Sequence, residues 1–524
     1  MNKKNSGPVV FVVCDGLGKA PENSGNAVTR AGMNFLTMLM QEYPSWYLAA
    51  HGESVGLLPG FIGNSEVGHL TLGAGRIIKS SIARFHELVQ SGSLAQHPHM
   101  QLLHTFATTG KTLHILGLLA DGGVHSHELH LHSMLDCAVQ SGIKKIAVHP
   151  ILDGRDVAPK SAQIFLERLE KKLQALGVGN IGSIQGRFYA MDRDKNWDRT
   201  VASYRMLCGE NTATQYKTWA LALDATYANG DSEEFVKPTL LDNQYAVQND
   251  DAVIFVNVRS DRALQLTNIL LDNKIQQQNS APLRSFSFVL TGYRYASELK
   301  NPSILEPALV QDTVLDVIAN QEPERPIFLV AETEKYAHVT YFFKGMRNEQ
   351  PAQETRIMIP SLKAPSYIEH PEMAAATITE HVEQLLPHHK NAFCIINYAN
   401  ADMVGHSGNF NATVTACLVL EAQLIRLYEL VVKKMHGTLL ITADHGNAEE
   451  MLDAIGNPKT AHTINPVPCV MVAENLRNPS PQPPKDLHKT HGIAHVAPTL
   501  LKHLELQPPR AMVEPLSYKN AEPM

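Results

Sequence analysis

Cysteine is scarce in this chain and never occurs as a CxxC pair. Six cysteines are spread over 524 residues, and several lie inside apolar runs such as VVFVVC (9–14) and FCIINY (393–398). Cytosolic proteins keep such cysteines reduced, and buried ones behave as small hydrophobic side chains. The pattern therefore argues against a disulfide scaffold and indicates a reducing compartment.

Long apolar segments and excess basic charge are also missing. No uncharged apolar stretch reaches the ~20 residues that a membrane span needs. The N-terminal run that ends at Cys14 is short, has no A-x-A cleavage site and leads directly into Asp15, so it predicts a first strand and not a signal peptide. A net charge of −7 offers no basic surface for a polyanion. We expect a soluble, cytoplasmic protein that binds neither nucleic acid nor a membrane.

Short apolar runs alternate with amphipathic segments along the chain. This alternation is typical of α/β architecture with mostly parallel, covered sheets. Because single cores rarely grow beyond ~250–300 residues, the length predicts two or three domains. The runs that predict strands are 8–14, 112–120, 145–152, 251–258, 326–331, 393–399, 438–443 and 468–473, and the segments that predict helices include 30–42, 127–140, 161–176 and 414–434.

Polar residues follow nearly all of these runs. In open parallel sheets, ligands bind outside the carboxyl ends of the strands, so the placement is that of a binding edge. Aspartate and glycine also end strands for turn reasons, and a single instance would therefore mean little. The series comprises Asp15, Asp121, Asp153, Arg155, Asp156, Arg259, Glu332, Asp402 and Asp444.

Carboxylates and imidazoles recur in a pattern that fits metal binding. Asp402 and His406 are four residues apart, so a helical turn would place both on one face. The donors include no thiolate, which favours hard or borderline divalent cations, and they suffice for two ions. The DxxxH pattern alone is more often a helix face or cap and DHGN alone more often a turn, while His462 alone fits an interior hydrogen bond and a metal ligand equally well. Only their joint presence indicates a metal site. The candidate ligands are Asp15, Ser65, Asp402, His406, Asp444, His445 and His462.

The middle of the chain carries a different chemistry, in which arginines lie in loops beside glycines. The planar guanidinium suits bidentate contacts with phosphate or carboxylate, so these arginines fit a clamp for a small anionic substrate. They fit equally well as surface arginines paired with neighbouring aspartates. His125 is a candidate proton shuttle because imidazole titrates near neutral pH. The set is His125, Arg155, Asp156, Arg187, Arg193, Arg259 and Arg262, and its position between the two groups of metal-type residues indicates one domain inserted into another.

The heptapeptide GNSEVGH (63–69) presents Ser65 beside a carboxylate and an imidazole. Gly63, Asn64 and Gly68 tolerate unusual backbone angles and predict a tight turn. No GxSxG frame is present, so a strand-to-helix nucleophile elbow is not indicated. The heptapeptide alone fits a surface loop better than a catalytic serine. A nearby metal ion would favour deprotonation of the hydroxyl and give Ser65 the role of a nucleophile.

The sequence closely resembles the cofactor-independent phosphoglycerate mutases of the alkaline-phosphatase superfamily. The shared motifs run in order from about residue 9 to 470, and their number and length make the resemblance specific. They are GNSEVGH, LLADGGVHSH, LDGRD, GRFYAMDRDKNWDR, RSDRALQLT, AETEKYAHVTYFF, PSYIEHPEM, ADMVGHSG, TADHGNAE and AHTINPVP.

This resemblance implies a nested architecture. A discontinuous phosphatase-like, metal-binding domain would comprise residues 1–77 and 311–524. An inserted α/β phosphotransferase domain, which binds the substrate, would comprise residues 78–310. The active site would lie in the cleft between them, and the family suggests a monomer.

The resemblance also implies roles for individual residues. Ser65 would be the phosphorylated nucleophile, and Lys335 would neutralise phosphoryl charge. One divalent ion, manganese in much of the family, would be held by Asp15, Ser65, Asp444 and His445, and a second by Asp402, His406 and His462. Phosphoglycerate would be bound by His125, Arg155, Asp156, Arg187, Arg193, Arg259, Arg262 and Lys335, with His125 or Asp156 moving protons.

Departures from the family pattern are small. Cys14 stands where an aliphatic residue is expected, and Ala401 replaces a more usual proline. The segment KGMRNEQPAQ after TYFF is longer than expected, and GIAHVAPT carries an additional histidine. None of these changes removes a proposed ligand.

The predicted reaction is the reversible interconversion of 3-phosphoglycerate and 2-phosphoglycerate through a phosphoserine, without bisphosphoglycerate. Exclusion of water by domain closure would prevent hydrolysis of the intermediate. The alternatives are another metal-dependent phosphohydrolase or phosphomutase of the superfamily, a non-catalytic phosphoglycerate sensor, and a structural protein whose carboxylates only end strands.

Overall fold

The computed structural model describes residues 7–210, 216–363, 366–453, 455–478 and 480–518. All eight apolar runs form strands there, and the predicted α/β class with mostly parallel sheets is confirmed. The strands are β1 (Val9–Cys14), β2 (Ser45–Leu48), β3 (Leu113–Leu118), β4 (Ile146–Leu152), β5 (Asn180–Ile181), β6 (Ser183–Gly186), β7 (Thr239–Leu240), β8 (Ala252–Phe255), β9 (Phe288–Tyr293), β10 (Ser303–Leu305), β11 (Ile327–Glu332), β12 (Glu354–Ile359), β13 (Phe393–Tyr398), β14 (Thr438–Thr442), β15 (Val467–Val472) and β16 (Lys485–Asp486).

The helices cover the predicted amphipathic segments and several more, and a π-helix over Tyr428–Lys434 completes the segment predicted at 414–434. The segment predicted at 30–42 is broken in two at Gly32, which adopts a left-handed φ of 84° at the end of the first helix. The helices are α1 (Ala27–Ala31), α2 (Asn34–Glu42), α3 (Ser65–Ala74), α4 (Ser81–Gln90), α5 (Gln101–Ala107), α6 (Glu128–Gln140), α7 (Ala162–Leu176), α8 (Arg187–Ala190), α9 (Trp197–Leu207), α10 (Trp219–Ala228), α11 (Leu264–Leu271), α12 (Asn273–Gln278), α13 (Val314–Gln321), α14 (Ala375–Leu385), α15 (Asn400–Gly405), α16 (Phe410–Leu427) and α17 (Val496–His503).

The chain forms two compact units. One comprises the chain up to Lys79 and from Leu309 onward, and the other comprises Ser80–Ala308. We call them the outer unit and the inserted unit. Their assignment as a metal-binding and a substrate-binding domain stays a prediction.

The outer unit is built on an eight-stranded sheet in the order β12-β11-β13-β1-β14-β15-β2-β16. The first five strands are parallel, and β15 runs antiparallel to both of its neighbours. Every residue of the central β1 is buried, as expected for a strand whose two faces are covered by helices. Because β1, β11, β13 and β14 are parallel, the residues that follow them emerge at one edge of the sheet.

The inserted unit has its own sheet, in the order β10-β9-β8-β3-β4-β6-β7 with β5 paired to β4. All of its pairings are parallel except that of β6 with β7. The loops that follow β3, β4, β6 and β8 therefore also leave the sheet at a common edge.

Two further observations concern the cysteines and the helices. The six cysteines are all buried and free of disulfide bonds. Among the helices in the described part of the chain, none combines the length and the apolar character needed to cross a bilayer.

Candidate active site

Four parallel strands of the outer unit deliver charged side chains to one sheet edge. Asp15 follows β1 directly, and Asp444 comes two residues after β14. Asp402 lies in the first turn of α15, which begins two residues after β13, and Lys335 ends a short 3-10 turn after β11. All four side chains are buried. The fold thus gathers three carboxylates and one ammonium from four separate segments, of which the one that carries Asp15 is more than 300 residues from the other three.

Ser65 is the first residue of α3, so the prediction of a tight turn over 63–69 is wrong. The helix is capped by Asn64, whose side chain accepts a hydrogen bond from the amide of Val67 at 3.1 Å. Gly63 and Gly68 do not adopt left-handed angles. They permit close approach instead, since a Cβ atom at Gly68 would lie 2.6 Å from the carbonyl oxygen of Asp444. The glycines therefore bring the helix start against the metal-type residues.

The Ser65 hydroxyl lies within hydrogen-bonding distance of three of these groups. Its Oγ is 2.7 Å from Lys335 Nζ, 2.9 Å from His445 Nε2 and 3.2 Å from Asp15 Oδ1. The hydroxyl also stands at a helix N-terminus, where the unpaired amides and the helix dipole stabilise negative charge. This position suits a serine that becomes phosphorylated.

Asp15, Asp444 and His445 form the first cluster of candidate metal ligands. Their donor atoms lie within 4.8 Å of one another, and all three residues are buried. Asp444 Oδ2 is 3.1 Å from the ring of His69, and Asn397 donates to Asp15 Oδ2 at 2.9 Å. Asn397 also contacts His69 Nε2 at 3.0 Å, so a second layer of side chains joins both carboxylates.

Asp402, His406 and His462 form the second cluster. Asp402 Oδ1 lies 3.2 Å from His406 Nε2 and 3.0 Å from His462 Nε2, and the two Nε2 atoms are 3.0 Å apart. Each ring has its Nδ1 against a backbone carbonyl, that of Thr460 at 2.7 Å and that of Gly63 at 2.9 Å. In a neutral ring whose Nδ1–H donates to a carbonyl, Nε2 carries no proton and its lone pair is available as a metal ligand.

This donor set fits a divalent cation. Two facing nitrogen lone pairs beside a carboxylate repel one another unless positive charge lies between them, and a coordinated ion supplies that charge. The first cluster offers two carboxylates and an imidazole, again without sulfur. Mixed carboxylate and imidazole donors of this kind suit borderline divalent ions such as zinc, cobalt or manganese better than magnesium, which prefers oxygen ligands.

Lys335 balances part of the negative charge. Its Nζ lies 2.8 Å from Asp15 Oδ1 and 2.7 Å from Asp402 Oδ2. Burial alone would lower the pKa of Lys335, but the nearby carboxylates, Asp444 included, raise it above its ordinary value. The side chain is therefore a fixed positive charge next to the Ser65 hydroxyl.

The inserted unit presents the arginines at the carboxyl edge of its own sheet. Arg187, at the start of α8, is buried and places its guanidinium 2.5 Å from both Asp153 Oδ1 and Asp156 Oδ2. Asp153 Oδ1 also accepts the amides of Arg155 at 3.2 Å and Asp156 at 3.0 Å. One carboxylate oxygen of Asp153 thus fixes both the Arg187 guanidinium and the backbone of the DGRD loop.

Four of the predicted arginines line a cavity of about 410 Å³ in this unit. Arg193 and Arg259 both pair with Asp261, at 3.0 and 3.3 Å, so the surface-pairing alternative holds for these two side chains. The cavity nevertheless keeps a concentrated positive charge, as a small anion requires. Its lining includes Arg155, Arg187, Arg193 and Arg262 from the predicted set, together with Arg199, Asp192 and Glu234.

His125 lies beside this arginine cluster and is buried. Its Nε2 is 3.9 Å from Asp156 Oδ2, and its Nδ1 is 3.7 Å from Asp261 Oδ1. Burial, and next the positive charge of Arg187, lower the pKa of His125 to about 3. The imidazole is therefore neutral at physiological pH.

Sequence reasoning gave no supporting role to the side chains that hold these groups, although Asp153 was among the residues expected at a strand end. His69 and Asn397 bridge carboxylates of the first cluster, and Asp153 holds Arg187. Asp153 and His69 belong to the quoted motifs LDGRD and GNSEVGH, so their motifs were visible while their contacts were not. Asn397 lies inside the strand β13 and carries no pattern of its own.

Comparison with known proteins places the chain in a family. Residues 85–295 match the family described as BPG-independent PGAM N-terminus. The 2,3-bisphosphoglycerate-independent phosphoglycerate mutase of Pseudomonas fluorescens (strain Pf0-1) is 39% identical over 510 residues, which are 96% of this chain and 97% of that protein. The enzyme of the same name from Clostridium novyi (strain NT) is 37% identical over 98% of this chain and 99% of its own length.

A solved structure agrees with these relatives. The phosphoglycerate mutase of Leishmania mexicana, crystallised at low cobalt concentration, superposes with a TM-score of 0.75 at 30% identity, and 99% of each chain is covered. The agreement extends over both units of the chain. The chain belongs to the 2,3-bisphosphoglycerate-independent phosphoglycerate mutases, isomerases that move a phosphoryl group within their substrate.

Proposed function

We propose that the chain interconverts 3-phosphoglycerate and 2-phosphoglycerate through a phosphoserine at Ser65. The observation that carries this proposal is the position of the Ser65 hydroxyl, 2.7 Å from Lys335 Nζ at the N-terminus of α3. A serine that only shaped a loop would not require a buried ammonium and two ligand clusters around it. No bisphosphoglycerate is needed, because the phosphoryl group is carried covalently on Ser65 between its removal from one hydroxyl and its transfer to the other.

Two divalent ions, manganese by preference, complete the proposed site. Asp15, Ser65, Asp444 and His445 would hold one ion, and Asp402, His406 and His462 the other. When bound, such ions favour ionisation of a hydroxyl and neutralise phosphoryl charge.

The chain's own groups prepare the transfer to Ser65. Lys335 donates to Ser65 Oγ and so favours its ionised form, and the same ammonium can then pair with a phosphoryl oxygen. The N-terminal amides of α3 stabilise the negative charge that accumulates on the phosphorylated side chain. Each of these contributions is electrostatic and exists before the substrate arrives.

The inserted unit would hold the glycerate part of the substrate. Arg155, Arg187, Arg193, Arg259 and Arg262 are proposed to bind its carboxylate, so that glycerate stays bound while its two hydroxyls exchange places. His125 or Asp156 is proposed to move the proton on and off these hydroxyls. The pKa of about 3 makes His125 a weak base in the free protein, and a bound anionic substrate would raise this pKa toward the range in which an imidazole exchanges a proton.

We further propose that the enzyme acts as a monomer in the cytoplasm. A monomer would have a mass of 57.8 kDa by light scattering in solution. A mass of twice that value, unchanged on dilution, would contradict this part of the proposal.

Replacement of Ser65 tests the phosphoserine route. Ser65→Ala should abolish turnover while calorimetry still detects substrate binding through the arginines. Rapid quenching of the wild type with substrate should yield a phosphorylated peptide that contains Ser65. Ser361→Ala is the matched control, because its hydroxyl binds Glu332 at 2.8 Å and contacts neither cluster. Substantial mutase activity in Ser65→Ala would overturn the proposal.

A further inference from the structure

Glu449 is a fully buried carboxylate that the proposed mechanism does not use. It is 0% exposed and lies four residues after His445. Burying a carboxylate costs free energy unless hydrogen bonds compensate for the lost water. Its surroundings in the outer unit supply such hydrogen bonds.

The Glu449 carboxylate accepts hydrogen bonds from three loops. Oε2 accepts the amide of Gly18 at 3.1 Å and that of Asn447 at 2.9 Å. Oε1 accepts the hydroxyl of Thr463 and the side-chain amide of Asn465, the latter at 3.0 Å. Four donors from three separate stretches of chain thus converge on one side chain.

Each of these loops carries a proposed metal ligand. Gly18 is three residues after Asp15, and Thr463 is the neighbour of His462. Asn447 lies between Glu449 and His445 in the same loop, and its side-chain amide donates to Asp402 Oδ1 at 3.0 Å. Through these bonds Glu449 reaches the segments of both ligand clusters while it touches no ligand itself.

The backbone is shaped to fit the carboxylate. A Cβ atom at Gly18 would collide with the Glu449 carboxylate, and one at Gly446 would collide with Glu449 and with the Thr463 hydroxyl. Neither glycine adopts a left-handed φ, so close approach and not backbone conformation explains the missing side chains.

We propose that Glu449 is a positioning residue that sets the spacing of the ligand loops of both clusters. The inference rests on the proposed metal role of those clusters. Outer groups that orient ligands typically change metal affinity by about 10–100-fold when they are removed. Glutamine has nearly the same shape as glutamate but offers one acceptor oxygen and an NH₂ group, which would face donors. Glu449→Gln should therefore weaken the hydrogen bonds that hold the three loops together, with little change in side-chain volume.

The test measures, by calorimetry, the affinity of the chelator-treated, full-length protein for manganese. Glu449→Gln should weaken manganese binding by about 10–100-fold. At saturating manganese its kcat should return to within several-fold of wild type, and the KM for phosphoglycerate should not change. Glu450→Gln is the matched control, because the Glu450 carboxylate accepts from Asn465 at 2.9 Å but from none of the three other donors, and the substitution leaves its backbone amide unchanged. Its manganese affinity should stay within about twofold of wild type.

The outcomes separate this inference from the proposed function. Wild-type manganese affinity in Glu449→Gln would overturn the positioning role alone. A wild-type protein that bound no divalent ion would overturn both. If Glu449→Gln did not fold, Thr463→Val would decide, because it removes one donor and keeps the side-chain shape. Unchanged manganese affinity in Thr463→Val would then contradict the proposal, and a weaker affinity would support it.

Discussion

The ammonium of Lys335 lies 2.7 Å from the hydroxyl oxygen of Ser65, although 270 residues separate the two in sequence. The same ammonium contacts carboxylates from both ligand clusters, Asp15 of the first and Asp402 of the second. Lys335 thus joins the proposed nucleophile to the two proposed metal sites.

Removal of the Lys335 charge should impair chemistry more than binding. Lys335→Met should lower kcat by about 10²–10³-fold or more, the usual effect of losing one donor to a developing negative charge. Steady-state kinetics at saturating metal measures the change. Lys344→Met is the control, since Lys344 is also buried and pairs with a carboxylate, that of Glu354, away from Ser65. An equal loss of kcat in both variants would show that only a generic structural defect was measured.

Loss of the Asp153 charge should weaken substrate binding through Arg187. Asp153→Asn keeps the shape of the side chain but removes the charge that fixes the guanidinium at 2.5 Å. Hydrogen bonds to charged groups contribute about 1.5–3 kcal/mol, so kcat/KM should fall by roughly 10–100-fold, mainly through KM. Asp194→Asn is the control, because Asp194 lines the same cavity but is exposed. An unchanged KM in Asp153→Asn would refute the positioning of Arg187 by this carboxylate.

His125 should stay neutral across the working pH range. Burial and then Arg187 lower its pKa to about 3, against the opposing charges of Asp261 and Asp156. Its ring signals in NMR spectra, assigned with a His125→Gln variant, should not titrate between pH 5 and 8. Arg187→Met should move the pKa upward because a repelling charge is removed. A wild-type midpoint near 6.5, the ordinary histidine value, would contradict the burial argument.

Acid should destabilise the protein through the buried His130. Burial, followed by His127 and His86, holds the pKa of His130 well below 6.5, so the unfolded chain binds a proton that the folded chain does not. Stability is therefore lost as pH falls below about 6.5, by up to ~1.4 kcal/mol per pH unit for one such group. His130→Phe should remove the contribution of His130 to the loss of unfolding free energy between pH 6.5 and pH 5. Urea unfolding at both pH values measures this loss.

The control for this slope is Phe85→Leu. Phe85 packs against the His130 ring with centroids 4.6 Å apart, so its replacement disturbs the same contact without changing a titratable group. It should lower stability by a similar amount at both pH values. A His130→Phe protein with the wild-type pH slope would show that His130 does not contribute to acid lability.

Much of the architecture could be predicted from the sequence, because buried parallel strands appear as short apolar runs and their carboxyl ends lie at one edge of a sheet. The apolar runs that became β1, β13 and β14 are short, continuous and β-branched, and the polar residues after them necessarily share one sheet edge. The same reasoning grouped the arginines after β4 and β8. The grouping of two sets of candidate site residues was therefore predictable.

Other features depend on tertiary contacts that no local pattern records. Ser65 was expected in a turn because its flanking glycines suit one, but those glycines serve close approach to Asp444 at the start of a helix. The partners of Glu449 lie up to 431 residues away in sequence. Strands such as β2 and β12 were missed because β2 has four residues and β12 carries a charged residue at its start and another at its third position.

The most direct test of the account uses purified, chelator-treated protein and 3-phosphoglycerate, with no bisphosphoglycerate added. Manganese is titrated while 2-phosphoglycerate and free phosphate are measured together. We predict manganese-dependent formation of 2-phosphoglycerate with little phosphate. Sustained phosphate release as the main product would contradict the account and make the chain a phosphohydrolase, and a strict need for bisphosphoglycerate would contradict the phosphoserine route.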